Sequence, residues 1–354
     1  MSKMSLLLVE DNEQDQNNCL HAVEDLQTDH GITIDLTICK NVEDALNALR
    51  TKFFDGAIID MRLKNDGNGN EGNDVIAEIK HSFHRIPVAI LTGTPDPAES
   101  EGFPSIGIYR KGEEDSTYEI LISKFHDIYT TGLTRILGGR GEIEKSLGEI
   151  FTKNLLNHTN KWVEYGKKDP ERTEKSLLRY TVNHLMQLLD EGVEKYYPEE
   201  FYLCPPLSLR LSTGSVLQNK NSNKWYVIIN PACDLALREG GGCKTDRALL
   251  VEVDNLIDLF SELESWTVPY SRSNQSKIDK ANNNTNSLFY HCLPKTSFYS
   301  GGYLNFRKLS THDEEDLLAN FNIPYAQISA AFIKDIVSRF SSYYARQGQP
   351  EIDF

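Results

Sequence analysis

Long apolar runs are missing from this chain of 354 residues. None approaches the roughly 20 consecutive apolar residues that a membrane span requires, so no membrane partner is expected. The leading run Leu6–Val9 is too short for a signal-peptide core and passes straight into Glu10 and Asp11, which makes a cytoplasmic protein the expectation. Cysteine is sparse. Six residues, at positions 19, 39, 204, 233, 243 and 292, include no C-x-x-C pair and are too scattered for a disulfide framework. Positive charge is short too: 37 Lys and Arg stand against 52 Asp and Glu, for a net charge of −15. That balance argues against a broad phosphate-backbone contact surface, so nucleic acid is not an expected partner.

What remains is an ordinary globular composition, long enough for two or three domains. The stretch Phe53–Leu63, FFDGAIIDMRL, organises the first of them. It runs apolar through Ala57, Ile58 and Ile59 and stops on Asp60, as a strand buried on both faces would. Leu6–Val9 ends in the same way on Glu10 and Asp11, and Pro87–Leu91 ends at Thr92. Ile106–Tyr109 is followed by Arg110 and Lys111. Between these strands the apolar spacing predicts helices over 12–26, 42–49, 75–83 and 118–129, with a further strand over 32–38. The alternation implies a parallel, doubly wound sheet with right-handed crossovers, and such a sheet gathers its strand ends at one edge. Clustered carboxylates repel without a cation, and an all-oxygen set suits Mg²⁺. Asp60 could then act as a nucleophile toward a phosphoryl group, with Thr92 and Lys111 supplying a hydroxyl and a positive charge to its oxygens.

LLLVEDN, AIIDMRL, AILTGT and IYRKG together resemble the receiver domain of two-component response regulators, over about residues 4–130. The resemblance implies a flavodoxin-like five-stranded receiver with Asp60 as phospho-acceptor and Mg²⁺ as cofactor. It places Asp11 directly on the metal, Glu10 through water, and the carbonyl of Arg62 in the same shell. Thr92 is then the switch hydroxyl, Gly93 keeps the approach open, and Lys111 is the basic partner. Three features depart from the family pattern. Gly112 replaces the usual proline after the lysine. The switch aromatic position holds Ile108, with Tyr109 beside it. Pro95, Pro97 and Pro104 predict a fourth helix that is short or absent. These changes touch the output face and leave the acid pocket. Receivers of bacterial conflict and antiphage systems are a looser likeness.

The domain expectation is a receiver over 1–135, a helical connector over 136–200 and a smaller α+β module with a β-rich core over 201–354. The connector could extend the receiver's last helix, form a homodimer, or pack on the third segment. In that third segment 207–217 and 225–229 read as strands joined by a hairpin loop at 219–224, with further strands at 249–253 and 303–306. Asn274–Asn286 reads as an exposed Asn-rich loop, and 328–344 as a terminal helix with Phe332, Ile336 and Phe340 inward and Lys334, Arg339 and Arg346 outward. Cys233, Asp234, Cys243, His291 and Cys292 admit three readings: a metal site, a catalytic Cys-His pair oriented by Asp234, or buried structural residues. This segment also looks like uncharacterised modules of bacterial defence loci, a likeness that brings no activity with it.

Three functions are compatible with these residues. The first is a phospho-signalling protein that a cognate histidine kinase phosphorylates on Asp60, changing how the third segment meets an effector protein. The second is a receiver-regulated enzyme with Cys233, Asp234 and His291 in its active site. The third is a phosphate sink that competes with another regulator.

Overall fold

The computed structural model describes residues 3–31, 33–63, 71–93, 105–139, 141–190, 195–236, 238, 242–262, 268–346 and 352. The chain divides into two compact units, Met1–Gly192 and Val193–Phe354.

The first unit opens with β1 (Met4–Val9), α1 (Glu13–His30), β2 (Ile34–Cys39), α2 (Val42–Thr51), β3 (Gly56–Ile59), α3 (Gly72–His81), β4 (Val88–Thr92), β5 (Gly107–Arg110) and α4 (Tyr118–Thr130). All five strands are parallel, in the order β2-β1-β3-β4-β5. This is a flavodoxin-like, doubly wound sheet, with its switch point between β1 and β3. The strands alternate sides, so each contributes to two cores. Leu6, Leu8, Ile58 and Leu91 pack on α1 and α4, while Leu7, Val9, Ile59 and Ile90 pack on α2 and α3. Gly56 is required where β3 passes under α4, since a Cβ there would lie 2.4 Å from the Phe125 ring. The Gly/Asn stretch 64–70, Thr94 and the three prolines between Gly93 and Ser105 lie outside the described residues.

Helices α5 (Leu133–Leu137), α6 (Glu142–Ile150), α7 (Thr159–Lys168) and α8 (Pro170–Asp190) complete this unit. The first two are tied to the edge of the sheet opposite the strand-end acids. Asp55, just before β3, accepts hydrogen bonds from Thr134 Oγ1 at 2.6 Å and from the Ser5 amide at 2.9 Å. Arg85, before β4, pairs with Glu144 at 2.8 Å.

The second unit is a seven-stranded antiparallel sheet. Its strands are β6 (Tyr202–Leu203), β7 (Ser215–Gln218), β8 (Trp225–Ile228), β9 (Ala248–Asp254), β10 (Tyr290–Leu293), β11 (Gly302–His312) and β12 (Ala326–Ile328), in the order β10-β11-β9-β8-β7-β12-β6. Among the described residues four α-helices accompany it: α9 (Leu256–Leu259), α10 (Arg272–Asn282), α11 (Glu314–Asn320) and α12 (Ala330–Tyr344). Helix α12 covers one face through Ile336, with Phe332 and Phe340, over Val216, Val227, Val251, Leu304 and Phe306. The α+β expectation with a β-rich core is met.

Three local readings are corrected. Of the predicted strand 207–217 only Ser215–Gln218 forms; Leu207 is fully exposed, and Gly214 at φ +90° turns the chain into β7. The Asn-rich stretch holds a helix, α10. Ser271 caps it by accepting from the Asn274 amide, and Ile278 and Ala281, one turn apart, bury against Phe260 and Tyr303. Two sparse apolar residues at helical spacing outweighed the composition. Arg339 points inward, its Nη2 donating to the carbonyls of Asn284, Ser287 and Tyr290.

Candidate functional site

Backbone bonds hold the end of β1 between its two neighbours: the Asp60 amide, after β3, donates to Val9 O at 2.9 Å, and the Glu10 amide donates to Cys39 O, at the end of β2, at 3.0 Å. Directly after the acids the chain turns into α1. Asn12 caps that helix by accepting from the Gln14 and Asp15 amides, which swings Asp15 back toward the strand ends. On the far side Gly72 is packed so tightly that a Cβ would lie 2.6 Å from Asp60 O. The first turn of α3 thus braces the backbone that carries Asp60.

Lys111 enters from the end of β5, its amide bonded to Thr92 O at 3.0 Å. Its ammonium meets Glu10 Oε2 at 2.6 Å, Asp15 Oδ2 at 2.8 Å and Asp60 Oδ2 at 2.8 Å. Burial acts against the charge on Lys111, but the three carboxylate hydrogen bonds outweigh it and hold the ammonium above its ordinary value. Glu10 is almost fully buried, and that burial raises its carboxyl despite the bonds from Lys111 and the Asn12 amide. Asp60 is 6% exposed and accepts from the Arg62 amide at 3.2 Å.

Glu10, Asp11 and Asp60 each place one oxygen within 4.8 Å of the others, the one grouping of metal-ligating type among the described residues. Hard oxygen donors in that arrangement fit a divalent cation such as Mg²⁺, which takes few protein carboxylates and keeps several waters. Two further polar atoms at this edge, Thr92 Oγ1 and the Tyr118 hydroxyl, are buried without a hydrogen-bond partner among the described residues. Burial, followed by the charges of Glu10 and Asp15, pushes the Tyr118 phenol above its usual range. Among the described residues, a Cβ at Gly93 would meet nothing within 4 Å.

Asp15 and Tyr118 were not singled out from the sequence. An acid three residues after a helix-capping asparagine that itself follows strand-end acids is the signal for Asp15. Tyr118 carried none, because its hydroxyl reaches the site only through the packing of α4.

The departures from the receiver pattern have local causes. Gly112 sits at φ +89°, which proline cannot adopt. Neighbours on a strand face opposite sides, so Ile108 points outward while Tyr109 lies over Gly107, with Lys124 Nζ 4.7 Å from its ring centroid.

The Cys-His pair is not assembled. Cys233 lies exposed in the loop after β8, whereas His291 is buried on edge strand β10, with β11 and β9 between them. Three strand spacings of about 4.8 Å separate the two strands. The antiparallel register also puts them at opposite ends, because Ile228 pairs with Leu250 while His291 pairs with Leu304 and so with Val253. Asp234 pairs with Lys244, and Cys292 faces α10, away from His291. Among the described residues His291 Nδ1 has no hydrogen-bond partner, and Asp335 Oδ2 lies 3.8 Å from it.

No known protein family and no curated protein matches this chain. Among solved structures it is similar to a response regulator receiver domain protein from Methanospirillum hungatei, at 16% identity and a TM-score of 0.30, covering 37% of this chain and 96% of that one. The receiver domain of a Francisella response regulator is similar at 18% identity and a TM-score of 0.29, over 36% of this chain and 98% of that one. So is the receiver domain of a sensor histidine kinase from Pseudomonas aeruginosa with magnesium coordinated in its active-site cleft, at 18% and 0.29, over 36% and 97%. The doubly wound fold of the first unit is read from its own strand order. No helix among the described residues is long and apolar enough to cross a membrane.

Proposed function

We propose that the first unit is a phospho-acceptor in two-component signalling, with Asp60 receiving a phosphoryl group from a partner histidine kinase. The observation that carries this reading is the meeting of Glu10, Asp60 and Lys111, with Asp11 beside them, at the switch point of the sheet. Glu10, Asp11 and Asp60 would hold Mg²⁺, with the Arg62 carbonyl completing the shell. When bound, the ion supplies positive charge to the carboxylates and to the phosphoryl oxygens. An Asp60 oxygen forms the new P–O bond as the P–N bond to the donor histidine breaks, and the leaving imidazole takes a proton from water. Thr92, whose Oγ1 is buried with no partner among the described residues, donates to a phosphoryl oxygen, and Lys111 offers its charge to another. The phosphorylated unit then alters the docking of an effector protein.

Intact-protein mass spectrometry after incubation with acetyl phosphate and Mg²⁺ tests this. One added phosphoryl group that requires both Mg²⁺ and Asp60 is expected. Equal uptake by Asp60→Asn would sink the assignment.

A further inference from the structure

We propose that Asp15 is a positioning residue that occupies the third donor of the Lys111 ammonium, so that phosphorylation of Asp60 proceeds by exchange of Asp15 for a phosphoryl oxygen on that ammonium. This rests on the phospho-acceptor reading and adds a residue to it. An ammonium has three N–H donors. Those of Lys111 are all engaged, by Glu10 Oε2, Asp15 Oδ2 and Asp60 Oδ2 at 2.6–2.8 Å. None is left for a new acceptor. A phosphoryl group on Asp60 brings three strong acceptor oxygens to the same edge, and Lys111 reaches one of them only by releasing a present partner.

The structure distinguishes which partner goes. The side chains of Glu10 and Asp60 are 1% and 8% exposed, so either carboxylate, once released, would be left buried and uncompensated. The Asp15 side chain is 26% exposed and stands in the first turn of α1, where water and the helix N-terminus receive a free carboxylate. Release at Asp15 is the low-cost exchange. The Asp15 contact also bears on the cation site. Glu10 and Asp60 are shared between Lys111 and the metal, and Asp15 takes the third share of the ammonium's charge. Without Asp15 that charge falls on the two acids alone and competes more strongly with a divalent ion.

The test compares full-length wild type with Asp15→Asn and Asp15→Glu. With acetyl phosphate at saturating Mg²⁺, Asp15→Asn should be phosphorylated about tenfold faster, the effect of losing one partly solvated charge-assisted bond. Calorimetric titration with Mg²⁺ alone should show weaker binding by several-fold. Asp15→Glu should restore both, and in a Lys111→Gln background the Asp15→Asn effect on both should vanish. An unchanged or slower rate for Asp15→Asn, with wild type phosphorylated normally, overturns the exchange alone. So does an effect that persists without Lys111. Absence of phosphoryl uptake by wild type overturns the phospho-acceptor reading and the exchange together.

Discussion

Replacing Lys111 with alanine removes the cation that bridges three acids at the strand ends. Its bonds to Glu10, Asp15 and Asp60 are short, and two of the acids are almost fully buried. Each charge-assisted bond is worth about 1.5–3 kcal/mol taken singly, but burying the ammonium costs several kcal/mol of hydration. The net effect is therefore set by what is left behind, two buried carboxylates without a counter-charge, at about 3–5 kcal/mol. Water can reach Asp15 and part of Lys111, so the low end applies, about 3 kcal/mol. Hydrogen exchange of the β1 and β3 amides reads this locally, and about 3 kcal/mol corresponds to roughly 150-fold faster exchange. A divalent ion held by Glu10, Asp11 and Asp60 would replace the missing charge. Saturating Mg²⁺ should therefore recover most of the loss in Lys111→Ala while adding less to wild type. The pH dependence has a definite sign. A base held above its ordinary value of 10.5 contributes in full below that pH and loses its contribution as pH rises through the raised value. Wild type should show this alkaline decline and Lys111→Ala should lack it. Unchanged exchange in EDTA, or a loss that Mg²⁺ does not recover, would overturn this account of the acid cluster.

Two further expectations concern the second unit. Burial, reinforced by Arg339, pushes His291 down to about 4 from 6.5. Its neutral form is favoured in the fold, so stability is complete above about pH 6.5 and falls by about 3 kcal/mol as the pH drops toward 4. Urea unfolding followed at the β10 amide signals should show this slope, and His291→Gln should flatten it; an identical slope in the variant would remove His291 as its source. Arg339→Ala frees three carbonyls of the 284–290 stretch and should cost about 2–3 kcal/mol. Exchange of the amides around Asn284 and Tyr290 checks this, and rates equal to wild type would count against it.

The first sheet and the placement of its acids were legible in the residues alone. Val9, Ile59 and Leu91 close short apolar runs that read as buried strands, and the helical spacing between them implies a parallel sheet covered on both faces. Glu10, Asp11, Asp60 and Thr92 are then strand ends on a common edge. Composition misled where few residues carry the packing. Ile278 and Ala281 were enough to hold α10 within an Asn-rich stretch, and Arg339 turned inward because three carbonyls needed a donor. Which groups meet was settled by the packing of elements far apart in the chain. It brought Asp15 onto Lys111 across 96 positions and placed the Tyr118 hydroxyl beside the acids. It set Cys233, in the loop after β8, and His291, on β10, too far apart to cooperate. Periodicity specifies the face on which a side chain stands, whereas contacts between elements depend on strand order and helix packing, and local sequence does not encode those distances.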